Sequence, residues 1–205
     1  MNNTFKKAFI NSVTLKSKII EETDFNHLTD LGNKIVNAIT KGGKLLICGN
    51  GGSAADAQHL AAELLIRLKP MNNRQGIPAI SLAMDSSTLT ACGNDFGYDA
   101  LFSRMVETLG QKEDILLVIT TSGNSENINS ALRTAKKLNI FSIGFLGSGG
   151  GAAKELCDDC FVVPSSDTAR IQEVHITVGH ALMEYIEDQL LQDGFLELDK
   201  TLNKK

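Results

Sequence analysis

Lys44-Leu45-Leu46-Ile47-Cys48-Gly49-Asn50-Gly51-Gly52-Ser53-Ala54-Ala55-Asp56 decides the fold. A short apolar run, Lys44–Cys48, passes through a glycine-rich turn into Ala54–Lys69, a stretch that suits a crossover helix. A strand without polar alternation is buried on both faces, as in a parallel sheet. The unit then recurs. Apolar runs at Ile77–Ala83, Ile115–Thr120, Ile140–Phe145 and Cys160–Pro164 alternate with helical stretches at Ser86–Leu109, Ser125–Leu138 and Ala152–Leu156. Strand–helix alternation of this kind predicts an α/β fold, a three-layer α-β-α doubly wound parallel sheet of five strands.

Toward the N-terminus, Phe5, Phe9, Val13 and Ile20 fall at helical spacing, and so do Leu28, Leu31, Ile35 and Ile39. Residues 1–41 therefore read as a helix pair, closed by Gly42-Gly43. One small sheet has little need of so much helix, so the pair is expected to contribute to a subunit interface. Toward the C-terminus a last helix is expected from Thr168 to Gln192, with a frayed tail after Gly194. The chain reads as one domain over 1–205, its α/β core and C-terminal helix spanning 44–193.

The composition fits a globular domain: 205 residues, 42% hydrophobic and 21% charged, enough to bury a core without disulfides. The formal net charge is −4, and no basic stretch precedes the terminal Lys204 and Lys205. Nucleic acid is thereby excluded as a main partner, since phosphate backbones are bound by clustered Lys and Arg. A small anion is not excluded. Lys6, Lys7, Lys16 and Lys18 interrupt the first twenty residues, so no signal peptide is read there. No apolar run is long enough to span a bilayer, so no membrane partner and a cytoplasmic location are expected. Cys48, Cys92, Cys157 and Cys160 are expected to be reduced. Cys157-Asp158-Asp159-Cys160 is a lone C-x-x-C without a second pair to complete a zinc site, and it reads as structural thiols.

Two loops carry a binding signal. The first, Gly49 to Asp56, brings glycines to the start of a helix, where unpaired N–H groups and the helix dipole favour an anion. The second, Thr120-Thr121-Ser122-Gly123-Asn124-Ser125, concentrates hydroxyls just before another helix. Hydroxyls and backbone N–H groups can hold a phosphate without Lys or Arg. Either loop alone is equally well a capped turn. Both lie at carboxyl ends of strands, where doubly wound sheets bind ligands. Gly49-x-Gly51-x-x-Ala54 also fits a dinucleotide fingerprint. Its candidate acid, Asp85, lies about thirty residues beyond the loop rather than about twenty, and the hydroxyl loop has no role in that scheme.

His59 and Glu63 are four apart and share one helix face, where they can divide acid–base work or share a metal. The last helix carries Arg170, Gln172, Glu173, His175 and His180, with His180 expected near its core side. Spacing pairs Glu173 with His180 slightly better than Gln172, and does not choose between them. His27 reads as a surface residue.

Cys48-Gly49-Asn50-Gly51-Gly52-Ser53, His59-x-x-x-Glu63, Cys92-Gly93-Asn94-Asp95-Phe96-Gly97, Thr121-Ser122-Gly123-Asn124-Ser125 and Arg170-Ile171-Gln172-Glu173-x-His175 together resemble the sugar isomerase (SIS) domain family, and within it the phosphoheptose isomerases. The resemblance covers Lys44 to Ile186, and the N-terminal helix pair also fits. It implies an aldose–ketose isomerase that converts sedoheptulose 7-phosphate to an aldoheptose phosphate through an enediol, for bacterial surface glycans. It implies a homotetramer with active sites at subunit contacts. It implies that Asn50, Gly51, Gly52, Ser53, Asn94 and Asp95 line the sugar site and that Thr120, Thr121, Ser122 and Ser125 hold the phosphate. It further implies one zinc ion per subunit on His59, Glu63, Gln172 and His180, with Glu63 and His180 moving the protons. The preference for Gln172 over Glu173 comes from the family alone. Some members carry an Asp where this chain has Ala169. Family relatives that bind the replication initiator protein suggest an alternative, a tetrameric scaffold without catalysis.

Overall fold

The computed structural model describes residues 3–82 and 85–199. Two helices, α1 (Thr4–Glu22) and α2 (Phe25–Thr40), precede the first strand, β1 (Leu45–Gly49). Then follow α3 (Gly52–Leu65), β2 (Ala79–Ser81), α4 (Ser86–Asp95), a single 3₁₀ turn at Tyr98–Ala100, α5 (Leu101–Leu109), β3 (Ile115–Thr120), α6 (Glu126–Leu138), β4 (Phe141–Leu146), α7 (Ala153–Leu156), β5 (Asp159–Val162) and α8 (Thr168–Gln192). The five strands form one all-parallel sheet in the order β2-β1-β3-β4-β5. This is the predicted doubly wound architecture.

Alternation along each strand builds two cores. Leu45, Ile47, Leu117 and Ile119 point to one face and pack with α1, α2, α3 and α8. Leu46, Cys48, Leu116 and Val118 point to the other and pack with α5, α6 and α7. Successive side chains leave a strand on opposite sides, so a strand apolar throughout demands cover on both faces. Burying a side chain such as Leu or Ile contributes about 1.5–3 kcal/mol.

Several expectations need correction. The helix expected over Ala54–Lys69 runs Gly52–Leu65, and the chain beyond it is held by side-chain contacts to α8. The expected strand Ile77–Ala83 pairs only over Ala79–Ser81; Ala83 lies outside the described residues. The expected single helix Ser86–Leu109 is two helices broken at Gly97, whose φ of 82° is open to glycine but strained for other residues. The tail after Gly194 is tied down as far as Asp199. Leu196 is buried, Arg74 bridges Leu198, and Asp199 N–H donates to the Asn73 carbonyl. His27 is half-buried and bonds Asp159 at 2.7 Å, against its reading as a plain surface residue.

The apolar stripe on α1 is real, but it faces out. Phe5 and Phe9 are 82% and 75% exposed, with Val13 and Ile20 exposed beside them, while Leu15 and Ile19 are the residues α1 buries. No helix among the described residues is long and apolar enough to cross a membrane.

Candidate active site

β1 feeds α3 on one face of the sheet and β3 feeds α6 on the other, so the loops after these neighbouring strands diverge. A crevice opens where they part, as it does at every such switch point. Here it is a cavity of about 190 Å³ lined by Asn50, Ser53, Ile119, Thr120, Thr121, Ser122, Ser125, Thr168 and Gln172. Its wall is mostly hydroxyls. Thr120 Oγ1 accepts from Gly123 N–H at 3.2 Å and Ser122 Oγ accepts from Asn124 N–H at 3.2 Å. A hydroxyl that accepts inside its own loop keeps its hydrogen for an outside acceptor. Ser125 is the N-cap of α6 but makes no side-chain cap bond, which leaves its hydroxyl for a ligand at the positive end of a 13-residue helix.

Glycine is required at one point of this turn. Gly123 has φ 67°, and a Cβ there would overlap the Gly150 carbonyl. The loop is thus pressed against the turn after β4, which is pinned by Ala153 N–H to Gly123 O at 2.9 Å and Ala152 N–H to Asn124 Oδ1 at 3.0 Å. Asn50 ties the two strand ends together. Its amide pairs reciprocally with Asn127, 2.9 Å each way, and Tyr98 Oη donates to its Oδ1 at 2.8 Å.

The ionisable groups sit where α3 meets α8. Gly179 lets the helices close, because a Cβ there would lie 2.7 Å from Leu60 Cδ1. His180 then lies against His59, with Nε2 to Nε2 2.7 Å and the rings edge-to-face. Glu63 Oε1 is 3.3 Å from His59 Nε2. Two ring nitrogens so close share one hydrogen, one donating and the other accepting. One ligand atom from each of His59, Glu63 and His180 lies within 4.8 Å of the others. Two imidazoles and a carboxylate are the three-protein-ligand pattern of catalytic zinc, with a position left for substrate.

Asp56, one turn before His59, was missed by sequence reasoning. Its Oδ2 is buried without a hydrogen-bond partner, and burial pushes its carboxyl up against the opposing pull of His59 and His180. Arg74 was also missed. Its guanidinium donates to the Glu63 and Leu64 carbonyls at 3.1 and 2.9 Å and to Glu187 Oε2 at 2.5 Å. The helix end that carries Glu63 is thereby joined to α8. Glu187, a charge amid the buried Met183, Ile186 and Leu190, was the signal that could have revealed the pair.

A model of the SIS domain matches residues 8–147. The chain belongs to the SIS domain family. Phosphoheptose isomerase 2 of Campylobacter jejuni is 46% identical over 198 residues, covering 95% of this chain and 96% of its own length. The phosphoheptose isomerase of Pelobacter propionicus is 52% identical over 163 residues, covering 80% and 85%. The solved phosphoheptose isomerase of Francisella tularensis superposes with a TM-score of 0.85 at 36% identity, over 91% of this chain and 97% of that one. Within the SIS family the chain thus groups with the phosphoheptose isomerases, and the scaffold alternative finds no support among these relatives.

The SIS motifs divide in space. Asn50, Ser53, Thr120, Thr121, Ser122, Ser125 and Gln172 meet at one cavity, with Thr168 as an addition. Gly51 and Gly52 start α3, and the Gln172 amide packs on Gly52 where a side chain would stand. His59, Glu63 and His180 form the second cluster, and His180 is half-buried where α8 faces α3. The buried histidine of α8 is His175 instead, with Nε2 bonded to the Leu146 carbonyl at 3.0 Å. Asn94 and Asp95 are exposed at the end of α4, bonded to each other, and do not line the hydroxyl cavity; Asp95 lines a separate groove under α4. Glu173 turns away to Arg170 at 2.7 Å, which leaves Gln172 as the side chain of that pair on the cavity wall.

Proposed function

We propose that this chain is an aldose–ketose isomerase that converts sedoheptulose 7-phosphate to D-glycero-D-manno-heptose 7-phosphate, an early step toward heptose-containing surface glycans. The observation that carries the reading is the pairing of an anion-sized hydroxyl cavity with a carboxylate–imidazole cluster on the adjoining helices.

Interconversion moves one proton between adjacent carbons and another between their oxygens. The Glu63 carboxylate takes the carbon-bound proton and returns it to the neighbouring carbon, by way of an enediol. The His180 imidazole serves the oxygens, since it can donate from one nitrogen and accept at the other. Thr120, Thr121, Ser122 and Ser125 hold the phosphate, and this remote binding energy positions the reacting carbons. Asn94 and Asp95 are proposed to reach the sugar with Asn50, Gly51, Gly52 and Ser53.

His59, Glu63 and His180, with Gln172 from the cavity wall, are proposed to hold one zinc ion per subunit. When bound, zinc supplies a Lewis acid for the substrate carbonyl. The donor set fits, because imidazole and carboxylate are ordinary zinc ligands. The exposed stripe of Phe5, Phe9, Ile10 and Val13 supports a homotetramer, and a cytoplasmic location goes with a sugar-phosphate substrate.

Incubation with sedoheptulose 7-phosphate tests the reading. An aldoheptose phosphate is the expected product. Absence of conversion, in protein shown by elemental analysis to carry metal, defeats it.

A further inference from the structure

The sugar site makes no use of the C-x-x-C segment. Cys157 is the C-cap of α7, its N–H donating to the Ala153 carbonyl at 3.0 Å, and Cys160 lies on edge strand β5. In the sheet, Cys160 pairs with Gly144 of β4. A Cβ on Gly144 would lie 3.2 Å from Cys157 Sγ. The Cys157 sulfur therefore occupies the space over β4 that a side chain would claim, beside the residue that pairs with Cys160. Cys157 Sγ donates to the Lys154 carbonyl at 3.7 Å, and the two thiols perturb each other's ionisation. Both are free and half-buried, and with Leu156 and Val162 they pack at the edge of the second core.

The pair is chemically unequal. The neighbouring Cys157 thiol, helped by Lys154 and His27, pulls the Cys160 thiol down to about 7 against burial and Asp159. The same neighbour and burial push Cys157 up. A C-x-x-C pair with one lowered thiol is a reactive arrangement, because the thiolate is the nucleophile. Fully buried Cys48, by contrast, has its thiol pushed up by burial alone.

We propose that Cys157 and Cys160 form a redox modification site, closed to an intrasubunit disulfide by hydrogen peroxide. The Cys160 thiolate attacks one peroxide oxygen, the O–O bond breaks, and the leaving hydroxide takes a proton to become water. Cys160 is then a sulfenic acid. The Cys157 sulfur attacks it, the S–S bond forms, and the S–O bond breaks. The oxygen leaves as a second water with the Cys157 proton. In sum, two thiols and one peroxide give a disulfide and two waters, the thiol pair losing two electrons. The site is independent of the isomerase reading.

The test is stepwise peroxide treatment of the reduced full chain, then alkylation, trypsin digestion and mass spectrometry of the peptide spanning residues 155–170. The expected result is loss of both thiol hydrogens at doses that leave Cys92 fully alkylated, reversed by dithiothreitol. Cys157→Ser should leave a Cys160 sulfenic acid that dimedone traps, and Cys160→Ser should leave the peptide unmodified at the same dose. Gly144→Ala, which crowds the Cys157 sulfur, should slow disulfide closure and let the sulfenic acid accumulate. Direct passage to sulfinic acid without a disulfide, oxidation of Cys92 at equal dose, or undiminished reaction in Cys160→Ser would each overturn the proposal.

Discussion

Two polar clusters bridge the same pair of helices, α3 and α8, and they are built in opposite ways. Around Arg74 and Glu187 the structure is closed. Both side chains are fully buried, Glu187 accepts from Arg74 Nε at 2.5 Å and from Asn72 Nδ2 at 2.6 Å, and the rest of the guanidinium is spent on backbone carbonyls. Around His59, Glu63 and His180 it is open. His59 is half-exposed, two imidazoles face each other over one hydrogen, and Asp56 Oδ2 has no partner among the described residues. Buried polar groups are normally satisfied, so an unsatisfied one needs a reason. The closed cluster holds the helices in register; the open one keeps its lone pairs and protons for a ligand.

The sharpest way to break this comparison is to substitute on each side and measure both activity and stability. At the open cluster, Glu63→Gln and His180→Ala should each lower turnover by about a hundred- to ten-thousandfold, the usual worth of a positioned acid or base. Thermal unfolding and oligomeric state should stay as in the parent. Full activity in Glu63→Gln would refute the base assignment. At the closed cluster, Arg74→Met should cost about 3–5 kcal/mol of stability in urea unfolding, because Glu187 is left charged and unpaired. The double variant Arg74→Met with Glu187→Leu should regain most of that loss. If the double variant is as unstable as the single one, the pair is not the isolated structural unit argued here.

How far these clusters could be read from sequence follows from what each signal encodes. His59 and Glu63 were legible because i and i+4 always share a helix face. The hydroxyl loop was legible because Thr120 to Ser125 sits where a strand ends and a helix starts. The partner on α8 was not, since Gln172 and Glu173 are both near the right face and only Arg170 decides between them. Arg170 holds Glu173 at 2.7 Å and donates to the Ala8 carbonyl on α1, a contact across 162 positions. The α1 stripe shows a second limit. Its period correctly predicts a helix, but a period carries no direction, and Phe5 and Phe9 point outward. The break at Gly97 was hidden by apolar residues on either side. There the fold turns the chain so that Tyr98 reaches Asn50.

His175 sharpens the contrast at smaller scale, as a histidine of α8 kept out of the chemistry. Burial pulls it down to about 4 from its ordinary 6.5, despite the bond to the Leu146 carbonyl. Between those values the unfolded chain takes up the proton and the folded chain does not. Stability therefore falls as pH drops from 6.5 toward 4, by about 3 kcal/mol in total, and this contribution is level above 6.5. Urea unfolding at pH 7 and pH 4.5 measures the slope. His175→Leu should flatten it by that amount, and an unchanged slope would mean that another group carries the acid sensitivity.

The smallest effect separates binding from folding within one residue. Ser125 stands at an N-cap, where a hydroxyl ordinarily stabilises its helix by about 1 kcal/mol. Here it makes no cap bond, so its removal should leave stability almost untouched. If the hydroxyl donates to the substrate phosphate, Ser125→Ala loses one hydrogen bond to a charged group, about 1.5 kcal/mol, or roughly tenfold in affinity. KM for the sugar phosphate should rise by about that factor with kcat unchanged, and inorganic phosphate should weaken as an inhibitor in proportion. A variant that instead melts earlier and keeps its KM would assign Ser125 to the helix, and the phosphate site would have to lie elsewhere along this edge of the sheet.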